Sequence, residues 1–390
     1  MSNVLTGVRV LEVANFISGP FVGQLLADLG AEVVKIENPA GGDGFRSATP
    51  PHLSTTFCAF NPNKKSVTLN FTKPQGAELL KQLAARSDIL VENFRPGVMD
   101  KSKVGWEALS KVNPRLIYCS ITGFGRDGPY HNRPSYDSVA SAISGFSRQV
   151  ISPRHLEFTG PATGDAVTGL YSCYGILGAL YERERTGVGR YVEVTMIESM
   201  IALQRDLLAH FFWTGETPSA QYRPALSQCF ALRCADGKPI AIHLSWPPKF
   251  WENLLAVIGR PDLASDPRFA TRSARVEHYE ALADELGKLF MRRPRAEWVS
   301  ELERVDVPFA PINDFAEVFN DPQTRHLGTF SRAEQPGHGE TYVVNRPVRY
   351  DGERPAGGVA PLLGEHTAEV LGSLGLLDQD LARLRAEKII

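Results

Sequence analysis

The chain has 390 residues, of which 43% are hydrophobic and 22% charged, and its net charge is −2. This composition is typical of a soluble globular protein, and the length allows two domains. The balanced charge excludes the basic surface that nucleic acid or an anionic membrane would require. No apolar run approaches the ~20 residues that span a bilayer, so we expect neither nucleic acid nor a membrane as a partner.

The cysteines and histidines form no metal-binding or disulfide pattern. The five cysteines contain no CxxC pair, and the nine histidines contain no HExxH set. We therefore expect reduced thiols and no metal site. The N-terminal residues lack a basic start followed by an apolar run, so we also expect no signal peptide and a cytoplasmic location. The cysteines are Cys58, Cys119, Cys173, Cys229 and Cys234.

Strand-like and helix-like segments alternate through the first half of the chain. Strands are predicted at 7–13, 31–37, 66–71, 88–94 and 116–124, with helices at 21–29, 74–86 and 106–112. This alternation predicts a parallel, doubly wound sheet, whose ligands bind beyond the carboxyl ends of the strands. No GxGxxG fingerprint follows the first strand and no P-loop is present, which argues against NAD, FAD or a nucleoside triphosphate.

A change in character near residue 206 suggests a second domain. A further strand at 190–196 and a helix at 197–212 precede a stretch rich in Thr, Ser, Gly and Pro. Residues 225–329 then predict a small α+β domain, with a hairpin that turns at Asp236-Gly237. The predicted divisions are 1–205, a linker at 206–224, the small domain at 225–329, and a tail at 330–390.

Several basic side chains lie near predicted strand ends. Lys64 and Lys65 precede one strand, and Arg95 and Lys101 flank the end of another. Taken singly, each fits an ordinary solvated lysine or arginine. Together at one sheet edge they favour an anionic ligand, so both interpretations stay open at this point.

The most informative stretch runs from 158 to 189. Gly164-Asp165 lies where a helix begins, and Gly187 ends that helix. Asp165 fits an N-cap that accepts N–H groups of the first turn. It also fits a carboxylate nucleophile, with Gly164 giving a substrate access to it. The helical period is set by Leu170, Tyr174, Leu177 and Tyr181.

Seven motifs in order resemble the class III CoA-transferases, a family that includes formyl-CoA and carnitine-type CoA-transferases and, more distantly, α-methylacyl-CoA racemases. The resemblance covers nearly the whole chain. The motifs are LADLGAEVVKIENP (26–39), NKKSVTLNF (63–71), VENFRPGVMDK (91–101), GFGRDGPY (123–130), GDAVTGLY (164–171), TGVGRYVEV (186–194) and PLLGEHTAEVL (361–371).

The resemblance implies specific roles for residues. Asp165 stands at the nucleophile of the GDxxTG motif and would form a mixed anhydride and then an aspartyl-CoA thioester. Phe16, Phe94 and Lys101 fall where relatives contact CoA, and Asn93 and Arg95 border that site. The partners implied are an acyl-CoA, with succinyl-CoA as a reasonable donor, and a small carboxylic acid. CoA thioester is then a substrate, and no cofactor is permanently bound.

Departures from the family pattern reduce the range of substrates and reactions that we expect. Ile17 stands where oxalate-metabolising relatives have Gln, and their run of four glycines is missing, so an oxalate substrate is not expected. Tyr136 stands at the racemases' catalytic His, which favours transfer, although His131 could substitute for that His. Racemase-type proton transfer and CoA binding without turnover remain alternatives.

The resemblance also implies an architecture. We expect a Rossmann-like α/β domain built from both ends of the chain, a smaller α+β domain, and two chains threaded into an interlocked homodimer.

Overall fold

A computed structural model describes residues 3–151 and 156–390. The chain divides into two compact units. The first comprises 1–147, 151–204 and 326–390, and the second comprises 148–150 and 205–325. Within the described residues, no helix is both long and apolar enough to cross a bilayer.

The first unit is built on a six-stranded sheet with the order β3-β2-β1-β4-β5-β6, and every neighbouring pair is parallel. The predicted parallel α/β sheet is thus confirmed. Its central strands β1, β4 and β5 are short and almost fully buried, as strands covered on both faces must be. The strands are β1 (Arg9–Val13), β2 (Glu32–Glu37), β3 (Lys64–Thr68), β4 (Ile89–Glu92), β5 (Ile117–Thr122) and β6 (Tyr191–Thr195).

Helices cover both faces of this sheet and enclose two apolar cores. Pro74 opens one of these helices, where a missing N–H is tolerated. Gly187 closes another in the left-handed region, at φ 72°. The helices are α1 (Ser18–Asp28), α2 (Thr55–Phe60), α3 (Pro74–Ala85), α4 (Val98–Lys101), α5 (Trp106–Val112), α6 (Asp137–Ile143), α8 (Thr163–Thr186) and α9 (Met196–Leu203). The short helix α7 (Ser147–Val150) belongs to the second unit except for its first residue.

The second unit holds a three-stranded antiparallel sheet and its own apolar core. The predicted hairpin is present as β7 (Cys229–Arg233) and β8 (Pro239–His243), joined by β9 (Phe309–Pro311). The 206–224 segment, predicted as a linker, contains most of α10, so only its second part is irregular; the exact domain divisions stay a prediction. The helices are α10 (Arg205–Thr214), α11 (Tyr222–Ser227), α12 (Lys249–Ile258), a 3-10 turn (Pro261–Ala264), α13 (Arg272–Glu277), α14 (Tyr279–Phe290), α15 (Arg295–Leu302), α16 (Phe315–Asn320) and α17 (Pro322–His326).

The tail folds onto the first unit. It contains the hairpin β10 (Phe330–Gln335) and β11 (Gly339–Val344), then α18 (Thr367–Gly372) and α19 (Asp378–Ala386). The N–H of His366 donates to the Ser66 carbonyl at 2.9 Å. The N–H of Thr68 donates to Thr367 Oγ1 at 3.0 Å. These bonds attach α18 to the edge strand β3.

The long helix α8 does not bury the residues that mark its helical period in the sequence. Its apolar stripe is largely solvent-exposed, with Leu170 at 54%, Tyr174 at 77% and Tyr181 at 69%. The buried face instead carries small residues such as Ser172 and Ala179. The helical period therefore predicts the helix correctly but not the side that faces the core.

A buried network of charges ties β1, β2 and β3 together. Lys35 Nζ lies 2.8 Å from both Glu12 Oε1 and Asp43 Oδ2, and Lys64 Nζ lies 2.7 Å from Glu12 Oε2. All four side chains are inaccessible to solvent. Burial alone would lower the pKa of Lys35, but its carboxylate neighbours raise it above the ordinary value. Each buried charge is thus compensated.

Replacing Lys35 by Met should destabilise the protein strongly, because it leaves the Asp43 carboxylate buried without its cation. The expected loss is about 3–5 kcal/mol. Lys288→Met, which removes an exposed pair with Glu285, is the control and should lose less than about 1 kcal/mol. Urea titrations followed by circular dichroism measure both. Equal losses for the two variants would contradict the role given to the network.

Candidate active site

A pocket of about 450 Å³ lies beyond the carboxyl ends of β1, β4 and β5. This is the edge at which parallel α/β sheets bind their ligands. Its lining combines aromatic rings with a few polar groups, as small-molecule sites do. The lining residues are Phe16, Ile17, Ser18, Phe45, Asn93, Phe94, Arg95, Pro96, Ile121, Thr122, Gly123, Phe124, His131, Arg133, Pro134, Ser135, Tyr136, Asp165 and Met196.

The start of α8 is capped by a residue from another helix. Asp137 Oδ1 accepts the backbone N–H of Gly164 at 2.6 Å and that of Asp165 at 3.3 Å. Asp165 lies in the first turn of α8, two residues after its start at Thr163, and does not act as its cap. The N-cap interpretation of Asp165 is therefore wrong. Because Asp137 serves the first-turn N–H groups, the Asp165 carboxylate is available to the pocket.

Gly164 serves this capping contact and does not give access to a substrate. A side-chain carbon at position 164 would lie 3.0 Å from Asp137 Oδ1 and 3.5 Å from Met200 Cγ. The space beside Gly164 is thus occupied by protein atoms. The absence of a side chain lets Asp137 approach the backbone, so the access role expected from the sequence is wrong.

The Asp165 carboxylate faces the starts of two helices. It belongs to the first turn of α8, and it receives hydrogen bonds from the side chain and the backbone of Ser18, the first residue of α1. Helix N-termini carry partial positive charge. Gly169, further along α8, permits this close approach, because a side chain there would meet the Phe21 ring at 2.8 Å and the Ser18 carbonyl at 3.3 Å.

Burial raises the pKa of Asp165 to about 6, and the nearby Asp137 carboxylate adds to this effect. The hydrogen bonds from Ser18 act in the opposite direction and lower the pKa. The outcome is a carboxylate that is ionised at neutral pH but poorly solvated. Poor solvation makes such a group a better nucleophile than a hydrated carboxylate.

One wall of the pocket is aromatic and is fixed by the buried charge network. Phe16 has φ 67°, a left-handed conformation that is unusual for a bulky residue. Its N–H donates to Asp43 Oδ1 at 3.2 Å, which holds this conformation in place. The Phe16 ring packs edge-on against Phe45 and Tyr136, with centroids 5.3 and 5.9 Å away. A side chain at Gly44 would come within 2.5 Å of the Phe16 ring.

The opposite wall follows β4. The Asn93 side chain accepts the Asn15 N–H at 2.9 Å and donates to the Asn15 carbonyl at 2.7 Å, so it clamps the loop after β1. Phe94 packs against Phe71 with ring centroids 5.7 Å apart. Burial raises the pKa of Glu92 to about 7, and this carboxylate accepts the Phe94 N–H at 2.9 Å.

The structure brings together six of the nine predicted site residues, Asp165 and five of the predicted CoA contacts. The other three do not line the pocket. Lys64 is a wrong prediction, because its side chain is fully buried and paired with Glu12. Lys65 lies on a separate surface and pairs with Glu32 and Glu369. Lys101 ends α4 and is exposed. The six that line the pocket are Phe16, Asn93, Phe94, Arg95, Tyr136 and Asp165.

Sequence reasoning missed Ser18, Phe45 and Asp137 as site residues. One signal could have identified Asp137, since it is the first residue of α6 and carboxylates at helix starts accept N–H groups. No local pattern shows that Asp137 accepts hydrogen bonds from N–H groups up to 28 residues away in the chain.

Comparison with known proteins gives consistent matches over the full length. Residues 5–367 match the model of CoA-transferase family III. The β subunit of succinyl-CoA–L-malate CoA-transferase from Chloroflexus aurantiacus is 34% identical, covering 99% of this chain and 98% of that protein. The formyl-CoA:oxalate CoA-transferase of Streptomyces avermitilis is 35% identical over the whole of both chains.

The fold has a matching solved structure as well. The crystal structure of a CAIB/BAIF family protein from Brucella suis superposes with a TM-score of 0.83 and 34% identity, covering 96% of this chain and all of that one. Together with the family match, these similarities show that the chain belongs to CoA-transferase family III and is an enzyme that acts on CoA thioesters.

Proposed function

We propose that the protein moves CoA from an acyl-CoA to a free carboxylic acid through covalent intermediates on Asp165. The carboxylate attacks the thioester carbonyl, which gives a mixed anhydride and CoA thiolate. The thiolate then attacks the aspartyl carbonyl, so that the first acid leaves and an aspartyl-CoA thioester remains. A second acid repeats the two steps in reverse order and leaves as the new acyl-CoA. No water, metal or electron acceptor is consumed.

One observation carries this proposal: the Asp165 carboxylate lines the pocket, is poorly solvated and faces the starts of α1 and α8. The attack places negative charge on the thioester oxygen. The partial positive charge of two helix N-termini favours that charge more than it favours the neutral thioester. The site therefore combines a nucleophile with electrostatic stabilisation of the developing oxyanion.

We propose succinyl-CoA as the donor and a small carboxylate as the acceptor. The support is that a relative over the full length is named for succinyl-CoA and L-malate. Another relative is named for formyl-CoA and oxalate. Here, however, apolar Ile17 lines the pocket, which leaves one polar contact fewer for a compact dianion such as oxalate. We therefore expect oxalate to be a poor acceptor.

Proton transfer at the acyl α-carbon is the second candidate, because His131 lines the same pocket as Asp165. Its Nδ1 lies 2.8 Å from the Gly128 carbonyl, which leaves Nε2 for a substrate. Such a reaction needs acid/base groups on both sides of that carbon. Incubation with acyl-CoA and free acids in D₂O separates the possibilities: transfer gives a new CoA ester, racemisation gives deuterium at the α-carbon, and CoA binding alone gives neither product.

We also propose an interlocked homodimer, with a second copy of this chain covering the exposed stripe of α8. The stripe is a continuous apolar face on a long helix, and its two tyrosines are more than two-thirds exposed in the isolated chain. Contiguous exposed apolar faces on soluble proteins mark contacts with partners when they are large. Sedimentation at falling protein concentration should give a dimer that persists until the protein unfolds. A folded monomer at low concentration would refute the interlocked arrangement.

Replacing Asp165 by Asn should abolish transfer and leave the fold intact. An amide cannot form the anhydride, so kcat should fall by roughly three orders of magnitude or more. Because Asp137 caps α8, the variant should keep its helix and its thermal stability. The control is Asp127→Asn, an exposed carboxylate of a nearby loop that does not line the pocket. If Asp165→Asn kept more than about a tenth of wild-type transfer, Asp165 would not be the nucleophile.

The raised pKa of Asp165 predicts the pH dependence of both activity and stability. Since only the ionised carboxylate attacks, kcat/KM should rise with pH through about 6. The folded protein holds this proton more tightly than the unfolded chain, whose ordinary pKa is 3.8. Wild-type stability should therefore fall relative to Asp165→Asn as the pH rises between these values. A kcat/KM that already rises near pH 4, or a stability difference that does not change with pH, would contradict the raised pKa of Asp165.

We propose that CoA contacts Phe16, Asn93, Phe94, Arg95 and Tyr136, with Lys101 meeting a phosphate. Lys101→Ala should then raise KM for acyl-CoA with little change in kcat. The loss corresponds to ~1–3 kcal/mol for a charged hydrogen bond. Lys65→Ala is the matched control, because Lys65 pairs with carboxylates away from the pocket. Equal KM values for the two variants at low salt would exclude the phosphate contact.

A further inference from the structure

The second unit contains a cysteine and a histidine paired across its hairpin. Cys229 and His243 are direct partners in the antiparallel register of β7 and β8. Cys229 Sγ lies 3.0 Å from His243 Nδ1, and His243 Nε2 lies 2.7 Å from Ser245 Oγ. A thiol that donates to Nδ1 and an Nε2–H that donates to Ser245 satisfy both contacts. The imidazole is then oriented to accept the thiol proton, as the base of a nucleophilic pair must be.

The sulfur opens onto a pocket of about 550 Å³ with a largely apolar lining. Both Cys229 and His243 line this pocket, and Cys229 is half-buried. Tyr279 donates its hydroxyl to the Cys229 carbonyl and stacks on Phe230 at 5.0 Å, which fixes the strand that carries the sulfur. A carbon chain could lie against these walls while its reactive end meets the thiol. The apolar walls are Phe230, Ala231, Ala241, Ile242, Tyr279 and Phe309.

We propose that Cys229 and His243 form a second nucleophilic site, whose electrophile is an acyl thioester with an apolar acyl group. In the exchange, Sγ bonds to the acyl carbon while the bond from that carbon to the CoA sulfur breaks. The thiol proton passes to His243 Nδ1 and then to the departing CoA thiolate. The products are S-acyl-Cys229 and free CoA, and no oxidant or reductant is needed. This proposal rests on CoA thioesters being substrates of the protein, not on Asp165.

Burial raises the pKa of the Cys229 thiol, while Arg223 lowers it. The resting sulfur is therefore protonated, and its reactivity must depend on His243 as base. Cys58 offers a matched comparison within the same chain. It is also half-buried with a pKa raised by burial, yet no hydrogen-bonded histidine accompanies it in the described residues.

The test uses full-length Asp165→Asn protein, so that acylation cannot proceed through that carboxylate. The protein is incubated with butyryl-CoA, digested, and analysed by mass spectrometry for butyryl groups on the peptides that contain Cys229 and Cys58. We expect the label on Cys229, its removal by neutral hydroxylamine, and no label at this position in Cys229→Ser. His243→Asn should slow labelling on the order of 100-fold while the protein stays folded.

A hydrogen bond that only stabilises the hairpin predicts the opposite pattern. His243→Asn would then lower the thermal midpoint without changing the labelling rate. Equal labelling of Cys229 and Cys58 would also overturn the proposal, as would reaction of Cys229 with iodoacetamide but not with butyryl-CoA. Because the assay is run without Asp165, each of these failures leaves the proposed transfer mechanism untouched.

Discussion

The Asp137 carboxylate and the first N–H groups of α8 form the contact on which the site depends. An α-helix leaves its first N–H groups without partners, and a carboxylate inside the first turn is the nearest group that can accept them. In this protein, Asp137 accepts them from outside the helix. Asp165 therefore does not cap its own helix, and its carboxylate lines the pocket instead. Asp137 also adds to the electrostatic effect that raises the pKa of Asp165.

Buried charged side chains that do not line the pocket constrain the loops that form it. Lys35 holds Asp43 in the interior, and Asp43 in turn accepts the N–H of Phe16 in its left-handed conformation. Arg46 similarly binds Glu37 through two nitrogens, at 2.6 and 2.7 Å. Burying so many charges gains little net stability compared with apolar packing, but breaking one pair is costly. In this structure the network fixes the loops after β1 and β2, and so fixes the aromatic wall of the pocket.

Local patterns were sufficient for most of the sheet, because every strand is a short run that contains Val, Ile or Leu and most connections have a helical period; the connection that holds α2 is an exception. They also placed Asp165 at the start of a helix. They failed where the answer depends on long-range packing. The sequence suggests that Lys64 is an exposed cation. In the structure it is buried against Glu12, which lies 52 positions earlier in the chain. The stripe of α8 shows the same limit, because a helical period does not tell which face of the helix is covered. The Asp137 contact could not be predicted for the same reason. Its partners lie 27 and 28 positions away, and no sequence spacing marks a cap that comes from another helix.

Trapping the intermediate decides whether Asp165 is the nucleophile. Wild-type protein is mixed with succinyl-CoA without acceptor, treated with hydroxylamine, and digested for mass spectrometry. We expect a hydroxamate on the peptide that contains Gly164-Asp165-Ala166, dependent on the acyl-CoA and missing in Asp165→Asn. Borohydride should reduce the same residue to an alcohol. A mark on another carboxylate, or transfer that proceeds with no mark on Asp165, would show that Asp165 is not the nucleophile.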